Sequence, residues 1–194
     1  MRGAVDFILQ EAGVSFPVET LIDHGCWDGH YAEMLRPYTK SLIGLDILDT
    51  DSIPGYDRYI RAPVEPGLSY LDPLPDNSVD LVLIIASVGM NAAGRDDGAP
   101  HCGDWIDYFG KTTERQGRYF TPNNYPRVVK PGGHIVIQEW EAYPERRVGK
   151  IGMAAVAQRI DEFYPHSELA GFTMVAKGIS PNRIGPYIVY RKAK

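Results

Sequence analysis

TLIDHGCWDGHYAEML, residues 20–35, reads as a strand, a glycine-bounded turn and the start of a helix in one continuous stretch. The apolar pair Leu21 and Ile22 ends in Asp23, a turn follows over Gly25, Cys26, Trp27, Asp28 and Gly29, and Tyr31, Met34 and Leu35 then recur at helical spacing. Glycines in such a turn let the backbone approach a ligand where a side chain would collide, and a helix start offers free N–H groups. A nucleotide-like ligand suits that arrangement. The dinucleotide fingerprint G-x-G-x-x-G is not met, because Trp27 stands where a middle glycine belongs. The phosphate loop G-x-x-x-x-G-K-[ST] is not met either, because no lysine follows Gly29.

Outward from this stretch, residues 3–12 place Val5, Ile8, Leu9 and Ala12 on one helical face and Gly13 stops the run. The helix after the turn is expected to end at about Leu35, because Pro37 pushes its predecessor out of helical geometry. Residues 41–45 read as a second strand carrying Asp46 at its end, and residues 56–61 as a third, bounded by Pro54-Gly55 and Pro63. Residues 79–85 are almost continuously apolar and β-branched, as expected of a central parallel strand covered on both faces. Pro131-Gly132-Gly133 turn into a fifth strand at 134–138, residues 152–164 carry a helical stripe of Met153, Val156, Ala157 and Ile160, and 172–176 and 187–190 close the chain as a long-looped hairpin. Strands alternating with helices predict a doubly wound α/β sheet in a single domain spanning residues 1–194. Residues 86–125 interrupt the periodicity with glycines and with Trp105, Tyr108, Phe109, Tyr119 and Phe120, the composition of a lid or acceptor wall.

Four pieces in this order carry a family resemblance: Asp23, Gly25, Trp27 and Gly29 of the turn, IGLDI at 43–47, LPDNSVDLVLI at 74–84, and RVVKPGGHIVIQE at 127–139. Over roughly its whole length the chain resembles the class I S-adenosylmethionine-dependent methyltransferases, with a type 11-like domain, whose first motif is D-x-G-x-G-x-G. The main departure is Trp27 in place of a glycine. The resemblance implies a Rossmann-like, mostly parallel seven-stranded sheet with an antiparallel terminal strand beside the fifth. It also implies S-adenosylmethionine as cofactor and methyl transfer to an acceptor.

Ligands of open α/β sheets lie outside the carboxyl ends of the strands, near the switch in strand order. That rule, with the resemblance, assigns cofactor binding to Asp23, Gly25, Cys26, Trp27 and Gly29, to Asp46 and Ile47, to Ala62 and to Ala86. The family uses an acid at the end of the second strand to accept the ribose hydroxyls, a role that falls to Asp46. The adenine edge goes to Arg61-Ala62-Pro63 or to Leu71-Asp72, and Trp27 either walls the ligand or fills a packing gap. If the acceptor is an alcohol, His101, Asp104 and Glu139 are the candidate general bases. His101, Cys102 and Asp104 lack metal-ligand spacing to a further partner, so no metal is expected. His24 and His30 read as ordinary hydrogen-bonding histidines, and Arg146, Arg147 and Lys150 as a solvated basic face.

The chain has 194 residues, enough to bury roughly 70% of its unfolded surface in one domain. Hydrophobic residues make up 44% and charged residues 23%, which excludes global disorder, and the net charge of −5 argues against a nucleic-acid partner. Two cysteines give no disulfide framework, and no apolar run approaches a membrane span, so a cytoplasmic protein is expected. The functional expectation is a small-molecule methyltransferase; the alternative is a non-catalytic relative that keeps the fold to bind a nucleoside ligand or a protein partner.

Overall fold

The computed structural model describes residues 2–46, 50–61, 71, 73–85, 125–138, 171–180 and 186–194. Its centre is β4 (Val79–Ile85), buried along nearly its whole length because both of its faces are apolar. Around it lie β1 (Val18–His24), β2 (Thr39–Asp46), β3 (Arg58–Arg61), β5 (Val129–Gln138), β6 (Phe172–Ile179) and β7 (Pro186–Lys192) in the order β3-β2-β1-β4-β5-β7-β6. The first five strands run parallel, and β7 lies antiparallel between β5 and β6. The strand order reverses between β1 and β4, so the carboxyl ends of those two strands flank the crevice of the sheet.

One face of the sheet, with Ile22, Ile43, Val82, Ile84 and Ile137, packs against Tyr125 and Val128 of α3 (Tyr125–Val128). The other, with Leu21, Leu42, Leu83, Val136 and Val189, packs against Val5, Ile8 and Leu9 of α1 (Arg2–Glu11) and Ala32 and Leu35 of α2 (Ala32–Leu35). Gly13 ends α1 at φ +67°, the left-handed geometry a glycine adopts without a Cβ clash. Among the described residues, no helix is long and apolar enough to cross a membrane.

Several boundaries differ from the sequence expectations. The helix after the glycine turn is a single turn, and Pro37 lies in the 3-10 turn Arg36–Tyr38 that continues it. The third strand begins at Arg58, because Asp57 turns inward: its N–H donates to the Leu42 carbonyl at 2.9 Å and its carboxylate accepts the Leu42 N–H at 2.8 Å. The Pro131-Gly132-Gly133 turn lies inside β5 as a bulge, where two steps along β4 (Val79 to Leu81) face five along β5 (Val129 to His134). Gly133 makes that bulge fit, since a Cβ there would stand 3.0 Å from the Asp80 carbonyl and 2.8 Å from Val129 Cγ1. The helix expected at 152–164 and nearly all of the 86–125 segment lie outside the described residues.

Candidate active site

The turn after β1 is held to the end of β2 through its own amides. The N–H groups of Gly25 and Cys26 both donate to the Leu45 carbonyl, at 2.7 and 3.2 Å, and the Trp27 N–H donates to Asp46 Oδ2 at 2.7 Å. The Gly29 N–H donates to the Cys26 carbonyl at 3.0 Å, and the His30 N–H to Asp28 Oδ1 at 3.1 Å. Five amides between Gly25 and His30 are thus engaged within the protein, and at the helix start the Ala32 N–H donates to the Gly29 carbonyl at 3.0 Å. The helix that follows has only four residues, so its dipole is small.

Gly25, Trp27 and Gly29 all adopt left-handed backbone geometry, at φ +81°, +48° and +89°. Glycine does this freely, whereas a tryptophan carries a penalty of about 1–2 kcal/mol. Trp27 is 50% exposed, so its indole does not fill a core gap. Gly29 is packed against the connection between β2 and β3, where an added Cβ would stand 2.8 Å from both Ile53 Cγ2 and the Pro54 carbonyl. Any ligand at this turn therefore lies on the opposite side from Ile53 and Pro54.

Beneath the turn, Asp23 is buried and its Oδ2 accepts a hydrogen bond from the Tyr56 hydroxyl. Burial raises its pKa to about 6, partly offset by the Tyr56 hydrogen bond and reinforced by the Asp46 carboxylate. Cys26 is also buried, and burial with the charges of Asp23 and Asp46 pushes its thiol far up, keeping it protonated and unreactive. Gly44, next to these groups on β2, leaves the room they need: an added Cβ would lie 2.9 Å from Cys26 Sγ and 3.0 Å from the Tyr56 ring. The sequence pattern puts Tyr56 at the start of a strand, and the Pro54-Gly55 turn beside it is the signal in the sequence for its part here.

His24 points to the other face of the sheet, where its Nδ1 shares a hydrogen bond with the Tyr125 hydroxyl. Burial lowers its pKa to about 3, so it is neutral, in keeping with an ordinary structural histidine. His30 is exposed, its ring packed edgewise on Tyr31. Gln138 closes the carboxyl end of β5, fully buried, with its Nε2 donating to Ser180 Oγ at 3.0 Å.

Asp23, Gly25, Cys26, Trp27, Gly29 and Asp46 thus stand together at the ends of β1 and β2. Ile47, Ala62, Ala86, His101, Asp104 and Glu139, with the alternative adenine residue Asp72, lie outside the described residues. Leu71 is described, and its side chain is buried in the core.

No protein-family model matches the chain, and no curated protein does. Solved structures do. An S-adenosylmethionine-dependent methyltransferase from Aquifex aeolicus aligns with a TM-score of 0.51 at 15% identity, over 96% of this chain and 87% of that one. The N-methyltransferase NodS from Bradyrhizobium japonicum WM9 aligns with a TM-score of 0.50 at 16% identity, over 97% and 94%. A candidate hemolysin from Lactococcus lactis reaches 0.57 at 13% identity, over 99% and 88%. Identities this low speak for architecture, and the strand order speaks the same way. The chain has the fold of the class I S-adenosylmethionine-dependent methyltransferases.

Proposed function

We propose that the protein is an S-adenosylmethionine-dependent methyltransferase acting on a small-molecule acceptor, with the cofactor held by the 23–29 turn and Asp46. The observation that carries this reading is the charge of the turn. Four of the five amides from Gly25 to Gly29 are engaged internally, and the carboxylates of Asp23, Asp28 and Asp46 crowd the turn, which disfavours a phosphate and favours a cation. S-adenosylmethionine suits such a site, since it has no phosphate and carries its transferable methyl on a positively charged sulfur.

Within this reading Asp46 has two duties. One lone pair of Oδ2 takes the Trp27 amide, and a carboxylate has further lone pairs with which to accept ribose hydroxyls. Ile47, Ala62 and Ala86 complete the cofactor contacts, while His101, Asp104 and Glu139 are the candidate bases for an alcohol acceptor. Residues 86–125 select the acceptor, a role resting on their position after β4 and on their aromatic content. Asp46→Ala should weaken S-adenosylmethionine binding by about 1–3 kcal/mol, read by calorimetric titration of the folded variant. Unchanged affinity would remove Asp46 from the site. Amide hydrogen exchange with cofactor product should show protection at the turn and within 86–125; protection at the turn alone would deny that segment its role.

Trp27 favours a second reading, in which the fold binds a nucleoside ligand or a protein partner without methyl transfer. Its half-exposed indole stands at a strained position that the resemblance fills with glycine. Tight binding of S-adenosylmethionine, recovered unchanged after incubation with a broad panel of small nucleophiles, would support that alternative.

A further inference from the structure

Tyr56 belongs to the connection that leads from β2 into β3, yet its side chain ends under the turn that follows β1. Three contacts hold it there. Its ring lies against Gly44, its hydroxyl donates to Asp23 Oδ2, and the chain on either side of it is anchored. On one side, Gly55 takes φ +87° and lies so close to Ala32 that a Cβ would be 2.6 Å from the Ala32 Cβ, while its carbonyl accepts from Arg36 Nη2. On the other, Asp57 binds both the N–H and the carbonyl of Leu42 and pairs with Arg36 Nη1 at 2.6 Å. The hydroxyl is thereby aimed at one carboxylate oxygen. We propose that Tyr56 is a positioning residue of the cofactor site, which orients Asp23 and keeps it a carboxylate so that the turn presents negative charge to a cationic ligand.

Among the described residues, the groups that face Asp23 leave this task to Tyr56. Asp46, from the end of β2, opposes the charge, and Cys26 in the turn is a buried neutral thiol. Tyr31, just before α2, is held neutral by burial and by the charges of Asp23 and Asp28. The residue paired with Asp23 on β4 is Leu83, which is apolar, and on β2 it is Gly44. Among these, the Tyr56 hydrogen bond is the contribution that favours the charged form.

This inference rests on the proposed cofactor, and the experiment separates the two. Tyr56→Phe keeps the ring over Gly44 and removes only the hydroxyl. Affinities for S-adenosylmethionine and its demethylated product, S-adenosylhomocysteine, are measured from pH 5.5 to 9. In the variant, S-adenosylmethionine binding should weaken about threefold near pH 6.5 and about eightfold at pH 5.5, and approach the parent value at high pH, as expected if the carboxyl titrates about one unit higher. The product, lacking the sulfonium charge, should lose less. In an Asp23→Asn background, Tyr56→Phe should add nothing further. A loss that is equal at every pH and for both ligands, or no loss at all, overturns the proposal. If the parent protein binds neither ligand, the cofactor reading fails. The Asp23 carboxyl titration, followed by carbon-13 resonance in the ligand-free protein, then still decides the role: an unshifted titration in Tyr56→Phe overturns it, and an upward shift supports it.

Discussion

Trp27 shows how far one residue departs from its local rule. A bulky side chain at φ +48° is uncommon, and half of this one faces solvent, so neither backbone preference nor burial accounts for its presence. Trp27→Gly should relieve the backbone penalty while making the unfolded chain more flexible, and these two effects oppose each other. Stability by urea unfolding should therefore change by less than about 1 kcal/mol, while affinity for S-adenosylmethionine changes. A large loss of stability with unaltered affinity would make Trp27 a packing residue. Asp23 is the opposite case, a residue whose burial opposes its own charge. With its pKa raised from 3.8 to about 6, the stability it contributes is present below about pH 4 and is lost as the pH rises through 6. Asp23→Asn, which still offers an oxygen to Tyr56, should raise stability at pH 8 by about 1–3 kcal/mol while weakening cation binding. Equal stability of the two proteins at pH 8 would show that the buried charge is better compensated than its surroundings suggest.

At the scale of elements, the described pieces that position the site are stapled by side chains. Arg127 of α3 donates to the Leu71 and Leu74 carbonyls, at 2.7 and 2.8 Å, and to Asp76 at 2.7 Å, binding the approach to β4 onto the approach to β5. Asp76 is well exposed, so that ion pair adds little, whereas the two carbonyls lie partly buried and would lose a charged donor. Arg127→Ala should cost about 2–3 kcal/mol, measured by urea unfolding, and Asp76→Ala less than 0.5 or so. A reversed order would place the stabilisation in the ion pair. Across the bottom of the sheet, Asp80 of β4 accepts the Thr20 N–H at 2.9 Å and pairs with Lys130 of β5 at 2.8 Å, tying three strands at one level. Gly55 matters similarly where the β2–β3 connection meets α2. Gly55→Ala adds a Cβ where Ala32 already stands, at a φ that disfavours it, and should lower the melting temperature by several degrees.

For the whole molecule, acid stability follows from which titratable groups the fold encloses. His24 and His134 are buried with pKa values lowered to about 3 and about 4, in both cases chiefly by burial, with Arg191 adding to the effect at His134. Depressed histidines contribute stability that is complete above about pH 6.5 and is lost as the pH falls through the window down to their folded values. Asp23 works in the other direction between about pH 6 and 4, but two histidines outweigh one carboxyl. Stability should therefore decline steadily from pH 6.5 to 4, and His24→Gln should flatten that decline. A urea midpoint that rises on acidification over this range would contradict the assignment of both histidines as buried and neutral.

The succession of strands along the chain and the place of the glycine turn were legible in the sequence, because both depend on local patterns, whereas the order of strands within the sheet is set by long-range pairing. The run of 79–85 is apolar except for Asp80 near its start, and the glycines at 25 and 29 occupy left-handed positions that suit them. The ends of elements were less legible. Asp57 and Tyr56 resemble the start of a strand until Leu42 and Asp23, distant in the chain, claim their polar groups. The bulge at 129–133 likewise depends on Asp80 of the neighbouring strand, against which only Gly133 fits. The charge of the site was the least legible of all. Sequence placed Asp23 and Asp46 at two strand ends, but pairing β1 with β2 brought their carboxylates together, burial raised the pKa of Asp23, and the returning β2–β3 connection set Tyr56 beneath it. Periodicity and turn chemistry act over a few residues and are written in order along the chain, whereas a buried charge takes its character from whatever the fold packs around it.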